Sequence, residues 1–259
     1  MRLLFVADIV GTPGRKAIEE RLPSLRDELD VDLCIANGEN VADGVGITPK
    51  LADRLLAAGV DAITLGNHVW RRSEIVPYLN GSDRVIRPAN LFSNSPGKGL
   101  TVVPARNGTR VAVLNLMGSL FIDTPTSMWD VVDRLVEQAR REAQVVFVDV
   151  HAEATSEKVA LAWWLDGKVT AVIGTHTHVQ TNDARVLPGG TAALSDAGMT
   201  GPHRSVIGVQ VELAVKRMRT GLPVRFETAS EDVRVEGALV ECDDDGRASS
   251  CTTVRVQIG

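Results

Sequence analysis

Apolar residues come in short blocks along this chain, and polar residues with ligand-type side chains stand at the ends of those blocks. Leu3–Ala7 is a continuous apolar run, the pattern of a strand buried on both faces. Thr12 and Pro13 then read as a helix N-cap and first helical residue, and Ile18, Leu22 and Leu25 keep helical spacing towards Leu29. Val31–Ala36 predicts the next strand. Thr48-Pro49 repeats the start signal, Leu51, Leu55 and Leu56 form an apolar helix face, Gly59 ends that helix, and Val60–Leu65 is a third strand. Further on, Met128–Glu142 and Ser156–Leu165 predict helices, and Val145–Val150 and Val169–Ile173 predict strands. This alternation is the pattern of βαβ units. Between Arg84 and Leu116 strands follow one another, with a hairpin turn at Asn107-Gly108. From Ala192 onward the segments VIGVQVEL, LPVRFET, VRVEGALVE and TTVRVQIG alternate apolar and polar residues and predict more strands, with Asp243–Ser250 as a polar hairpin loop. No Pro/Gly/Ser-rich linker and no internal repeat divides the chain. The expectation is one α/β domain over residues 1–259, with two sheets packed together and helices outside.

Composition narrows this picture only a little. A chain of 259 residues can bury a substantial core without disulfides. The net charge of −5 gives no reason to expect a stable nucleic-acid complex or a membrane surface. Cys34, Cys242 and Cys251 are odd in number and lack CxxC spacing, the pattern of a reducing compartment. The start MRLLFVAD is too short for a signal sequence, and no apolar run approaches the ~20 residues of a membrane span. A cytoplasmic location is expected, and a homo-oligomer is compatible with the sequence.

The strand ends carry the chemistry. Asp8, Asn37–Asn40, Gly66–His68, His151 and Gly174–His178 each follow a predicted strand, where open α/β sheets collect functional residues. Four of the five histidines fall in these clusters. Singly, each residue has a plain alternative: Asp8 as a cap, Asn67 as a turn residue, His68 as a surface histidine, His151 as a satisfied core histidine, Glu39 and Asn40 as solvated loop residues. Together, Asp, Glu, Asn and His without thiolates suit a pair of hard or borderline divalent metals. His176 and His178, at i and i+2 of an extended segment, would point to one side and reach one metal centre. Two metals bring four positive charges, of which Asp8 and Glu39 remove two, so the site stays positive and attracts a phosphate ester. Glu39 has two oxygens and is a good bridge between the metals. The metals would lower the pKa of a bound water and hold the phosphoryl oxygens. His68, beside ligand Asn67, is placed to be the general acid.

At these residues the chain resembles the calcineurin-like metallophosphoesterase superfamily, and more closely its YmdB-like bacterial branch. The resemblance runs from LLFVADIVGTPGR through NGEN, LGNH, DVHAEATSEK and GTHTHVQT to DAGMTGPHRSVIG. The superfamily's usual Asp-x-His motif lacks its histidine here, because Ile9 and Val10 follow Asp8. Its Gly-Asp motif is replaced by Asn37-Gly38-Glu39-Asn40, which matches the YmdB-like pattern. The resemblance implies a metallophosphoesterase-type β-sandwich of two mixed sheets flanked by helices. It implies one metal on Asp8, Glu39, Asn40 and His178, another on Glu39, Asn67, His151 and His176, and His68 as proton donor. Iron or manganese is implied, and the ligand set also admits zinc. The implied activity is hydrolysis of a small phosphodiester such as a 2′,3′-cyclic nucleotide by a hydroxide held between the metals. Two alternatives stand beside it: a phosphomonoesterase or protein phosphatase on the same site, and a regulatory protein whose metal site is structural or sensory.

Other features read more plainly. Thr12-Pro13-Gly14-Arg15 lacks the glycine-lysine end of a phosphate loop and is a helix start. Glu153 and Glu157 are either partners orienting the ligands or solvated helix positions. Gly198–Pro202 is either a pocket lining or a turn, His203 a surface residue, and Trp70 a core residue or a stacking platform.

Overall fold

The computed structural model describes residues 1–258, and it has two mixed β-sheets stacked face to face with helices on both outer faces. The first sheet contains β1 (Arg2–Val6), β2 (Asp8–Ile9), β3 (Leu33–Asn37), β4 (Ala62–Thr64), β11 (Met199–Pro202), β12 (Val233–Cys242) and β13 (Ala248–Gln257). The second contains β5 (Leu100–Pro104), β6 (Arg110–Met117), β7 (Val145–His151), β8 (Ala171–Thr175), β9 (Arg185–Val186) and β10 (Ala192–Leu194). Their orders are β2-β11-β12-β1-β3-β4, with β13 on β12, and β5-β6-β7-β8-β10-β9.

The apolar runs form these strands because both faces of each central strand are covered. On β1, Leu3 and Phe5 face the second sheet, while Leu4 and Val6 pack under α1 (Gly11–Glu28) with Ile18 and Leu22. Phe5 meets Phe147 of β7 at 5.1 Å between ring centroids, in the middle of the layer between the sheets. A third cluster seals the second sheet under α4 (Val132–Glu142) and α5 (Thr155–Trp164). The helices α2 (Pro49–Ala57) and α3 (Ile75–Gly81) complete the cover of the first sheet. The three cysteines are free and buried, and burial pushes the Cys242 and Cys251 thiols up to about 11. Among the described residues, no helix is long and apolar enough to cross a membrane.

The topology places the chemistry. In the first sheet β1, β3 and β4 run parallel. In the second, β6, β7, β8 and β10 do the same. The carboxyl ends of both parallel sets meet along one rim of the sandwich. There Asn37 Nδ2 of the first sheet donates to Asp149 Oδ2 of the second at 3.1 Å.

Several expectations need correction. VIGVQVEL and LPVRFET are not strands. Their centre forms α6 (Val211–Thr220), followed by Gly221 in the left-handed conformation. The apolar residues Val211, Val215 and Met218 keep helical spacing, and an alternating stretch forms a strand only where a neighbour offers a ladder. Here the sole strand-like contact of residues 222–228 is the isolated Val209↔Thr228 bridge. Met128–Glu142 splits into a single 3₁₀ turn, Met128–Asp130, and α4, separated by Val131 at φ −121°. Gly198–Pro202 is neither pocket lining nor turn: Met199–Pro202 is the buried strand β11, paired with β2 at Met199↔Asp8. The segment Thr12–Arg15 lies in the first turns of α1, capped at Val10. A Cβ on Gly14 would run into the carbonyl of Thr200, so glycine there lets α1 lie against β11.

Candidate metal centre

The rim brings Asp8, Glu39, Asn40, Asn67, His68, His151, His176 and His178 to one place. β2 carries Asp8, which is fully buried and whose Oδ2 accepts the backbone N–H of His176 at 2.9 Å. Its Oδ1 is buried with no hydrogen-bond partner. Glu39 follows β3 and is 1% exposed. Its Oε2 accepts the His68 backbone N–H at 2.9 Å, while Oε1 lies 3.2 Å from His68 Nδ1 and 3.3 Å from His151 Nε2. Glu39 therefore stands between the two sheets' contributions. Gly66 makes this approach possible, because a Cβ there would strike both the Glu39 carboxylate and the His151 ring.

The ring nitrogens are the informative part. His151, last residue of β7, sets Nδ1 3.0 Å from the Thr175 hydroxyl, which donates to Asp149 Oδ1 at 2.7 Å. Its Nε2 faces Asn67 Oδ1 at 2.9 Å and His176 Nδ1 at 3.0 Å. His176 sets its other nitrogen, Nε2, 2.9 Å from the Glu153 carboxylate. His178 donates from Nδ1 to the Ile207 carbonyl at 3.0 Å, leaving Nε2 3.0 Å from Asn40 Nδ2. So each of three histidines has one nitrogen held by an oxygen outside the cluster and the other aimed into it. This is the arrangement that fixes the tautomer of a metal-binding imidazole.

Two groups result. Glu39, Asn67, His151 and His176 converge around His151 Nε2, and ligand atoms of Glu39, His151 and His176 lie within 4.8 Å of one another. Asn40 and His178 form the second group, with Glu39 and Asp8 beside them. The electrostatics of these residues alone favour a cation. Burial raises the pKa of Asp8, against the pull of His178 and His151. Burial acts the same way on Glu39, but there His151 and His68 prevail and hold the carboxyl well below the usual range. Burial pushes His151 down, yet Glu39, Asp8 and Asp149 outweigh it and raise the ring to about 9. Burial and the neighbouring His151 push His176 down to about 3. The buried, unpartnered Asp8 Oδ1 and the inward-facing histidine nitrogens are atoms of the kind a metal cation binds. The residues present fit divalent metal ions.

His176 and His178 are not in an extended segment. Their φ values are 98° and 62°, both left-handed, so the two rings diverge into different groups instead of sharing one side. His68 sets Nδ1 2.7 Å from Asn40 Oδ1 and 3.2 Å from Glu39 Oε1, and its side chain is about a quarter exposed. Glu157 is buried and accepts the backbone N–H of Ser119 at 2.8 Å, so it orders the loop after β6 and does not touch a histidine ring in the cluster. His203 lies outside the cluster, half-buried, with Nε2 3.1 Å from the Met199 carbonyl. Trp70 is exposed beyond His68. A cleft of about 1160 Å³ lies between α1, Arg72 and the segment Arg225–Ser230, and none of the clustered side chains lines it.

Sequence reasoning missed Asp149, Thr175, Lys158 and Asp196. Asp149 had a signal, since an aspartate inside the apolar strand VVFVDVH must have buried partners. Burial raises its pKa to about 6, although His151 and the Thr64 and Thr175 hydroxyls pull the other way.

The family model for YmdB-like proteins matches residues 4–254. The chain belongs to the YmdB-like family. It is 45% identical over 244 residues to a 2′,3′-cyclic-nucleotide 2′-phosphodiesterase of Bacillus subtilis (strain 168), covering 94% of this chain and 92% of that one. Among solved structures, a hypothetical protein from Thermus thermophilus superposes with a TM-score of 0.93 at 41% identity, over 99% of both chains. The structure described as a novel phosphatase from Mycoplasma pneumoniae superposes with a TM-score of 0.91 at 32% identity, over 99% of this chain and 93% of that one. The two-sheet sandwich of this YmdB-like chain is thus the metallophosphoesterase fold.

Proposed function

We propose that this chain is a metal-dependent phosphodiesterase acting on 2′,3′-cyclic nucleotides or closely related small phosphodiesters, as a single domain over residues 1–259 in the cytoplasm. The observation that carries the proposal is the set of three imidazoles, each with one nitrogen engaged outside the cluster and the other aimed into it: His151 Nε2 towards Asn67 and Glu39, His176 Nδ1 towards His151 Nε2, and His178 Nε2 towards Asn40. The name and 45% identity of the Bacillus subtilis relative support the substrate class.

Asp8, Glu39, Asn40 and His178 would hold one metal ion, and Glu39, Asn67, His151 and His176 the other, with iron or manganese favoured and zinc admitted by the donor set. Bound divalent ions supply Lewis-acid activation of the phosphoryl group and of the attacking water. The remaining work falls to the chain. Glu39 sets Oε1 3.2 Å from His68 Nδ1 and 3.3 Å from His151 Nε2 and is buried, so its charge acts in a low-dielectric setting. Asp149, through Thr175, and Glu153 hold His151 and His176 in the tautomers that present a lone pair. His68, anchored at Nδ1 by Asn40 and Glu39, keeps Nε2 free to give a proton to the ribose oxygen as its bond to phosphorus breaks.

The test is turnover of 2′,3′-cyclic AMP by the full chain reconstituted with Mn²⁺, beside p-nitrophenyl phosphate as a monoester. The expected result is diester turnover well above monoester turnover, with two Mn²⁺ per chain. Preference for the monoester, or fewer than one ion per chain, overturns the proposal. The substitution His68→Ala should abolish most diester turnover while two ions still bind; a biological role that survives this loss would mark the site as sensory.

A further inference from the structure

The proposed chemistry leaves unused a deeply buried ion pair. Lys158 of α5 and Asp196, in the loop after β10, meet at 2.8 Å between Nζ and Oδ2, with side chains 2% and 1% exposed. Removing two charges from water is expensive, and a well-packed apolar pair of the same size would stabilise the fold at least as well. The pair's other contacts show where its effect goes. The same Asp196 Oδ2 accepts the backbone N–H of Thr177 at 3.1 Å and the Thr177 hydroxyl at 2.8 Å. Asp196 Oδ1 accepts the N–H of Gly198 at 2.9 Å, and its backbone carbonyl accepts the N–H of Thr181 at 3.0 Å. Thr177 is the residue between His176 and His178, both of which hold left-handed backbone conformations that side-chain-bearing residues disfavour. Nothing local to the sequence Gly174-Thr-His-Thr-His selects that turn. Asp196 fastens its centre from behind, and Lys158 fixes Asp196. Gly174 completes the fit, since a Cβ there would run into the Ser195 carbonyl and lie 2.7 Å from Lys158 Cδ.

We propose that Lys158 and Asp196 are positioning residues that hold the His176–Thr177–His178 turn, through Thr177, so that the two imidazoles diverge into the two ligand groups. The proposal rests on the reading of this cluster as a dinuclear metal site. It makes the turn the element whose geometry sets the spacing of the two ion positions. Removing the clamp then weakens ion binding and lowers turnover without altering any ligand.

The test uses the full chain and three substitutions, Thr177→Val, Lys158→Met and Lys158→Arg, with Mn²⁺ alone as the binding probe in equilibrium dialysis. Thermal melting of the metal-free protein and the kcat and KM for 2′,3′-cyclic AMP are read in parallel. Loss of an outer partner of a metal ligand costs about 10–100-fold in metal affinity. Thr177→Val, which deletes only the hydroxyl bond, should weaken Mn²⁺ binding by about 10-fold. Its metal-free melting temperature should stay close to that of the parent. Lys158→Met should weaken binding further and lower kcat more than it raises KM, and Lys158→Arg should restore part of the loss. If Thr177→Val and Lys158→Met bind two Mn²⁺ with parental affinity, the clamp is structural only and the proposal fails while the site reading stands. If Lys158→Met does not fold, Thr177→Val decides alone. If the parent itself binds no Mn²⁺, the reading of the site fails and takes the proposal with it.

Discussion

The ligand cradle at the rim and the segment from Ile207 to Phe226 invert each other's relation to solvent. In the cradle, Asp8, Glu39 and His151 are 0–1% exposed although all three are ionisable. In the other segment, Val211, Leu222 and Met218 are 39%, 59% and 76% exposed although all three are apolar. Only Ala214 of α6 is buried. The two regions show different uses of the same energy scale. Burying an ionisable group is costly unless its partners are supplied, so a protein retains such a group where its chemistry is needed. Exposing single apolar side chains costs little, and it removes the packing that would otherwise hold a helix in place. The cradle is accordingly over-determined by bonds from both sheets, whereas α6 is held mainly by its own backbone and its glycine C-cap.

This contrast can be tested by substitution, beginning with the largest effect. Glu39→Gln keeps the size of the side chain but removes the charge shared by both ligand groups. Turnover should fall by at least about 10³-fold, since metal-ion stabilisation is worth several kcal/mol and each tenfold is about 1.4 kcal/mol. Assays at saturating Mn²⁺ with metal counts on the same sample check this. Parental turnover in that variant would mean that Glu39 is not a ligand. Phe147→Ala empties the layer between the sheets directly behind the cradle and should cost about 3–5 kcal/mol of stability, measured by urea unfolding. Gly66→Ala forces a methyl group against Glu39 and His151. It should cost about 1–3 kcal/mol and, if Glu39 and His151 hold metal as proposed, also reduce metal content. In the other region, Met218→Glu should change stability by no more than about 0.5 kcal/mol. A loss of several kcal/mol there would show that the helix is covered in solution, and the contrast would dissolve.

The cradle was readable because its residues sit next to strong local signals. Asp8, Glu39, Asn67 and His151 each follow an apolar run whose strand character is unmistakable, and the sheet rule then places them at one end. The segments VIGVQVEL and LPVRFET form no strands for the complementary reason. Their alternation of apolar and polar residues fits a strand, but a strand needs a partner, and whether an edge is free is a property of the whole sheet. His176 and His178 depart from the extended conformation their spacing suggests, though not from the expected place. Their left-handed turn is imposed by Asp196 and Lys158, which come from elsewhere in the chain.

The sequence by itself determined the donor types, their order, their attachment to strand ends and the βαβ alternation that gathers strand ends on one rim. These follow from local periodicity and side-chain chemistry. The tertiary structure alone decided which nitrogen of each histidine faces inward, how the clustered side chains divide into two groups, and which buried groups hold them. Those decisions rest on contacts such as Asp8–His176, Asn40–His178 and Asn37–Asp149, which lie 168, 138 and 112 residues apart. No local propensity spans such distances, because these contacts form only when both sheets have closed on their common core.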